Sequence, residues 1–165
     1  MVLKAFISDS IQEAKTLLQN GDVVAIPTET VYGLAANALN ATAVAKIFEA
    51  KNRPFFDPLI VHVASVEAAE KYVQAIPAPL LRLMQTFSPG PLTVLLKKKD
   101  VIPDIVTSGL DTVGIRIPNH PLTLALLAEL DFPLCAPSAN PFGYVSPTSA
   151  QHVFNQLADR IPFIL

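Results

Sequence analysis

Short apolar strands alternating with amphipathic helices predict an α/β fold with a substantially parallel or mixed sheet. Three observations carry this. Val23-Val-Ala-Ile26, Leu59 to Ala64 and Val113 to Ile117 are continuous or nearly continuous apolar runs, as expected of strands covered by helices on both faces. Between them lie segments with apolar residues at helical spacing. The 15 prolines mark the ends of elements along the whole chain instead of pooling in a linker.

The elements follow in order. Ser10-Ile-Gln-Glu13 reads as a capping box, with Ile11, Ala14, Leu17 and Leu18 as the apolar stripe and Gly21 as the stop. Val23–Ile26 is a strand. A helix follows from a cap at Thr42, turns Val44, Ile47 and Phe48 inward, and ends before Pro54. The next strand runs from Leu59 to Ala64. Ser65 caps a helix reaching about Gln74, and another spans Pro79 to Phe87. Leu92–Leu96 and Val113–Ile117 are strands, Leu122–Leu130 and Thr148–Leu157 helices, and Leu134–Ala136 a short strand between them. The chain closes on an apolar strand, Ile161–Leu165. Such strands lead onward in most folds, so a fragment of a longer domain is expected.

Bulk properties narrow the function. With 165 residues, 51% hydrophobic and 16% charged, one globular domain with a real core is expected, not a disordered chain. No apolar run reaches membrane-span length, and Asp9, Gln12 and Glu13 break any signal-peptide pattern, so a cytoplasmic protein without membrane contact is expected. The single Cys135 excludes an internal disulfide, and 3 histidines make a protein-held metal a poor prospect. A net charge of −2 argues against a general nucleic-acid coat. Any basic site must be local.

The local candidate is Lys51-Asn-Arg-Pro-Phe-Phe-Asp-Pro-Leu-Ile-Val61 with His62 behind it. Lys51 lies three and four residues after Phe48 and Ile47, so it continues the apolar stripe, and its ammonium emerges at the helix end. Arg53 follows two residues later. A cation complementing the helix dipole explains Lys51 alone. Two cations beside a Pro-bounded loop also suit a phosphate or carboxylate, Arg as a planar fork and Lys as a point charge. His62 alternates with Val61 and Val63; a core histidine and a ligand partner both fit.

Further candidates sit at strand ends, where ligands of open α/β sheets bind. Pro27-Thr-Glu-Thr-Val-Tyr-Gly33 puts hydroxyls, a carboxylate and a phenol after a strand; a turn fits the same residues. In Asp111-Thr112-Val-Gly-Ile-Arg116-Ile-Pro118 an arginine lies between isoleucines, which calls for a partner, from a structural ion pair or a ligand. Ala136-Pro-Ser138-Ala-Asn140-Pro141 and Ser146-Pro-Thr148 supply small polar groups for cradling phosphate or for capping. Lys97-Lys98-Lys99 reads as a solvated strand end, Cys135 as a buried thiol and Ser88–Pro91 as a turn. Neither G-x-x-x-x-G-K-[ST] nor G-x-G-x-x-G occurs.

Taken together and in order, Pro27-Thr-Glu-Thr-Val-Tyr-Gly-Leu34, Lys51-Asn-Arg-Pro54, Pro58-Leu-Ile-Val-His-Val63, Pro89-Gly-Pro-Leu-Thr93, Gly114-Ile-Arg-Ile-Pro118 and Pro137-Ser-Ala-Asn140 with Ser146-Pro-Thr148 resemble the YrdC-like family of threonylcarbamoyl-adenylate synthases. The resemblance implies a twisted α/β domain with a large concave site. It also implies that ATP, L-threonine and bicarbonate yield threonylcarbamoyl-AMP and pyrophosphate. A separate transferase complex would then modify the tRNA adenosine next to the anticodon. By the same resemblance Lys51, Arg53, Ser138 and Asn140 are the catalytic set and hold the ATP phosphates and adenylate. Asp57, Thr112 and Ser146 join Lys51, Arg53 and Ser138 on the ATP side, and Thr30, His62, Arg116 and the Ala136 backbone hold threonine. Mg²⁺ would ride mainly on the phosphates, with no protein-held metal.

Family members continue past the strand matching Ile161–Leu165 into an Asp-Gly-Gly turn and a Gly-x-Glu-Ser-Thr segment, so residues 1–165 are expected to form a YrdC-like domain lacking its C-terminal segment. Two other classes stand beside the enzyme: a module holding RNA, double-stranded RNA included, without chemistry, and an inactive shortened relative. Carbamoyl-transfer hydrogenase-maturation proteins use a related domain but add zinc-binding cysteines that this chain lacks.

Overall fold

Helix α1 (Ile11–Gln19) begins where its side chains dictate. Ser10 Oγ accepts the Glu13 amide at 3.2 Å, while the Ser10 amide donates to Ser8 Oγ rather than to Glu13. Gly21 turns the chain out of the helix at φ +76°. Helix α2 (Ala41–Lys51) is capped by Asn40, two residues before the predicted Thr42, because the side-chain Oδ1 of Asn40 accepts the amides of both Thr42 and Ala43. The computed structural model describes residues 4–54 and 57–165, so Phe55 and Phe56 of the Pro-bounded loop lie outside the described residues.

The other helices are α3 (Val66–Ala69), α4 (Ala78–Phe87), α5 (Asp104–Thr107), α6 (Pro121–Glu129) and α7 (Ala150–Leu157). Ser65 caps α3 as expected. The helix stops well short of Gln74, however, since the Lys71 and Tyr72 amides fold back onto Ala68 and Ala69 and Val73 bridges to Lys98. Ser149, not Thr148, caps α7 through the His152 amide. No helix among the described residues is long and apolar enough to cross a membrane.

Among the described residues, eight strands form one sheet in the order β1-β8-β2-β3-β7-β4-β6-β5, twisted as open sheets are. They are β1 (Phe6–Ile7), β2 (Val24–Ile26), β3 (Gly33–Asn37), β4 (Ile60–His62), β5 (Thr93–Lys97), β6 (Thr112–Arg116), β7 (Leu134–Cys135) and β8 (Phe163–Ile164). β1/β8, β2/β8 and β4/β6 are parallel, whereas β2/β3, β3/β7, β4/β7 and β5/β6 are antiparallel. The mixed sheet is as predicted. β3, a sequence of Gly-Leu-Ala-Ala-Asn with no β-branched residue, is missed by pattern reading; it is a strand because burial between β2 and β7 overrides weak propensity.

Register sorts the side chains into two faces. One carries Leu34, Ala36, Val61, Val94, Leu96, Val113, Ile115 and Cys135. It packs against Val44, Ile47 and Phe48 of α2, Val106 of α5 and Val153 and Leu157 of α7. The opposite face carries Val24, Ile26, Ala35 and Leu134 at the β2/β3 side, covered by Ala14 and Leu18 of α1 and by Leu126 and Leu127 of α6. Each of these large side chains contributes roughly 1.5–3 kcal/mol by leaving water. α1 and α6 do not extend over the β4-β6-β5 half. There Thr93, Leu95 and Lys97 are exposed, and Thr112, Gly114, Arg116 and Ile60 half-buried, while their odd-face neighbours Val94, Leu96, Val113 and Ile115 are buried. This half-face is left bare.

Candidate active site

The register that leaves this face open also gathers predicted residues on it. His62 pairs with Arg116 across β4/β6 and with Leu134 across β7. Ile60 pairs with Gly114, and the Ala136 amide donates to the Ile60 carbonyl at 3.0 Å, extending the β7 ladder. Ser138 bridges Gly33 at the next step. Thr112, Gly114, Arg116, Ile60, His62, Ala136 and Ser138 therefore share one side of the sheet. Its floor is kept low by small residues: a Cβ on Gly33 would meet the Ala136 Cβ at 3.1 Å, and one on Gly114 the Thr93 methyl at 3.2 Å. Between Ile60, Thr93, Leu95, Leu110 and Thr112 lies a groove of about 310 Å³ with mostly apolar walls.

At one end of the face stands Arg116. Its Nη2 donates to Glu29 Oε1 at 2.6 Å and to Thr30 Oγ1 at 3.0 Å. The second Glu29 oxygen accepts the Asn119 amide at 2.9 Å. Burial alone would raise the Glu29 carboxyl; bonds from its own backbone, Arg116 and Asn119 outweigh it and hold the group below the usual carboxylate range. The loop carrying Glu29 and Thr30 is braced by Thr28, whose Oγ1 donates to the Val31 carbonyl at 2.6 Å. Thr123 of α6 anchors the same loop by donating to the Pro27 carbonyl. His62 is 3% exposed. Burial, then the neighbouring Arg116 charge, push its imidazole down to about 4, so it is neutral at ordinary pH.

Lys51 and Arg53 occupy the other end. α2 ends through Asn52 in the left-handed conformation (φ 51°), and the Asn52 and Arg53 amides turn back onto Glu49 and Phe48. Lys51, 1% exposed, sends its ammonium to the carbonyls of Ser138 and Asn140. Burial, with Arg53 adding like charge, lowers it to about 8. Arg53 Nη2 pairs with Asp57 at 2.7 Å. Asn140 donates to the Pro141 and Tyr144 carbonyls, and the Phe142 amide to Lys51, so this loop is fastened to the end of α2.

Lys51, Ser138 and Asn140 thus form one cluster, Arg53 and Asp57 a pair beside it, and Arg116, Thr30 and His62 a second cluster, with Ala136 between on the floor. Thr112 lies at the start of β6, along the groove. Ser146 is exposed on the loop before α7, off the strand register, and is followed by Pro147, whose carbonyl accepts the Tyr32 amide. Cys135 is buried with its thiol pushed up to about 12, so it is no nucleophile.

Sequence reading did not assign a role to Glu29. A signal was present: it is the only charged residue between Asp22 and Lys46, as Arg116 is between Asp111 and Glu129. Two lone opposite charges in apolar stretches are natural partners. Among the described residues, buried side-chain polar atoms without a hydrogen-bond partner are Arg53 Nε, His62 Nδ1, Arg116 Nε, His120 Nδ1, Asn140 Oδ1 and Gln156 Oε1. Four of the six belong to the predicted set. Such atoms cost about 1–3 kcal/mol each and concentrate where a ligand completes the bonding.

Among the described residues, this open α/β sheet face carries a half-buried arginine at one end and a buried lysine with a half-buried arginine at the other, charges that can face anionic groups. The family profile Sua5_yciO_yrdC, described as "Telomere recombination", matches residues 16–165, and the chain belongs to that family. It is 51% identical over 156 residues to the threonylcarbamoyl-AMP synthase of Bacillus subtilis, covering 94% of this chain and 45% of that protein. Against the threonylcarbamoyl-AMP synthase of Pyrococcus abyssi the identity is 48%, covering 94% and 46%. The crystal structure of P. abyssi Sua5 complexed with L-threonine superposes with a TM-score of 0.91 at 48% identity, covering 93% of this chain and 45% of that one. The chain spans about half the length of these relatives.

Proposed function

We propose that this chain is a domain that forms threonylcarbamoyl-AMP and pyrophosphate from L-threonine, bicarbonate and ATP. The observation that carries the reading is the single open sheet face with an arginine cluster at one end and a lysine-arginine cluster at the other, joined by a floor of small residues. Cations at both ends suit a substrate carboxylate at one and a polyphosphate at the other. Similarity to proteins named threonylcarbamoyl-AMP synthase, one of them solved with L-threonine, supports the same assignment.

In this mechanism the threonine amine captures bicarbonate as a carbamate with loss of water. A carbamate oxygen then attacks the ATP α-phosphorus, and pyrophosphate leaves. Such a displacement needs orientation and charge more than a protein nucleophile. Arg116, with its buried Nε donor, and Thr30 hold the threonine carboxylate. Neutral His62 supplies a hydrogen bond without adding charge beside Arg116, and the Ala136 backbone completes the pocket. Lys51 holds the Ser138–Asn140 loop and, with Arg53, offsets the phosphate charge; Asp57, Thr112 and Ser146 lie on the nucleotide side. Mg²⁺ would enter with ATP, neutralising phosphate charge. Asp57 is committed to Arg53, so this reading leaves the metal to the phosphates and water. The product would serve a separate transferase complex acting on tRNA.

Calorimetry with L-threonine, then with ATP and Mg²⁺, followed by pyrophosphate release on adding bicarbonate, tests the proposal. Binding of both ligands with threonine- and bicarbonate-dependent pyrophosphate is the expected result. Binding of neither would overturn it, and salt-sensitive RNA affinity alone would point to an RNA-binding module instead.

A further inference from the structure

We propose that Glu29 is a positioning residue that sets the plane of the Arg116 guanidinium for an incoming carboxylate, an inference that rests on the function proposed above. Arg116 projects from the end of β6 with a side chain 12% exposed, and the Glu29 side chain, 19% exposed, reaches it from the loop after β2. A half-buried arginine needs one counter-charge, but this one is held with unusual directionality. Glu29 engages Nη2 through Oε1 only, and Oε2 is taken by the Asn119 amide at the β6–α6 junction, three residues after Arg116. The carboxylate is therefore fixed at both oxygens, one bond tying it to the guanidinium and the other to the backbone that carries it. Thr30 Oγ1 adds a second acceptor on the same nitrogen.

A guanidinium is a rigid planar fork, so fixing Nη2 fixes Nε. Nε is buried and lacks a partner among the described residues, as does Nδ1 of His62 on the adjoining strand. Glu29 thus occupies the outer nitrogen and leaves the inner donor for a ligand. A simple neutralising pair has no need of the Asn119 anchor. A carboxylate beside a carboxylate site also repels the ligand, a cost that makes sense only where orientation is worth more than charge.

The test compares wild type with Glu29→Gln and Glu29→Ala. NMR of the Arg116 side-chain nitrogens in the ligand-free protein reports rotation about the Nε–Cζ bond, and calorimetry gives L-threonine and ATP affinities. Expected are hindered rotation in wild type, free rotation in Glu29→Ala, and threonine binding weakened about tenfold or more, with ATP affinity within about twofold of wild type. Glu29→Gln, which keeps an acceptor of the same shape, should restore part of both. Equal rotation in all three proteins, or tighter threonine binding in Glu29→Gln, would overturn the proposal, the latter marking Glu29 as a competitor for Arg116. A parallel fall in ATP affinity and melting temperature would reduce Glu29 to a structural ion pair. If wild type binds no threonine, the functional reading fails, while the rotation measurement still decides whether Glu29 positions Arg116.

Discussion

His62 and Lys51 are held against their ordinary charge states, and each makes a pH-dependent expectation. His62 titrates at about 4 in the fold against about 6.5 unfolded. The unfolded chain therefore binds more protons between those values, and stability falls as pH drops through that window, by on the order of 1 kcal/mol per pH unit. Thermal melts of wild type should decline between pH 6.5 and 4, and those of His62→Gln should decline less. Lys51, lowered to about 8, acts in the opposite part of the scale. Its burial cost is relieved between pH 8 and 10.5, so it adds stability as pH rises there, yet it loses the charge the proposed chemistry uses. With saturating threonine, kcat/KM for ATP should fall above about pH 8, and Lys51→Arg should move that limb upward. A profile unchanged by the substitution would remove Lys51 from the phosphate site.

At the level of elements, α2 delivers Lys51 and Arg53, so its ends matter to the site. Replacing the cap Asn40 by Ala should cost about 1 kcal/mol in denaturant unfolding, and Thr42→Ala much less, since Asn40 accepts both first-turn amides. Strand β6 contributes a different constraint. A side chain at Gly114 would enter the groove within 3.2 Å of the Thr93 methyl. Gly114→Val is expected to cost about 1–3 kcal/mol in stability and to abolish ATP binding while threonine binding survives. Undiminished ATP affinity would place the nucleotide elsewhere.

For the whole molecule, the two charged clusters stand at opposite ends of one face and make different contacts, so the two substrates should be separable. Arg116→Ala should lose threonine and keep ATP, whereas Arg53→Ala should do the reverse, with turnover down about a hundredfold in either case. Calorimetry on both variants checks this. Loss of both ligands in each would mean one merged site.

The sequence by itself determined the α/β class, most elements and nearly all of the gathered residues, because these are recorded locally. Capping side chains, apolar periodicity and Pro boundaries act within a few residues, and the ordered segments from Pro27 to Thr148 carry the family signature. Only the tertiary structure decided three other matters. β3 is a strand because its neighbours bury it, not because Gly-Leu-Ala-Ala-Asn favours extension. Arg116 is paired with Glu29, which their lone opposite charges only hinted at, and Lys51 with the Ser138 and Asn140 carbonyls, contacts spanning 87 to 89 residues. The face on which these groups meet is bare because α1 and α6 cover only half of it. Register places side chains on a face, but which part of that face stays open depends on where distant helices pack.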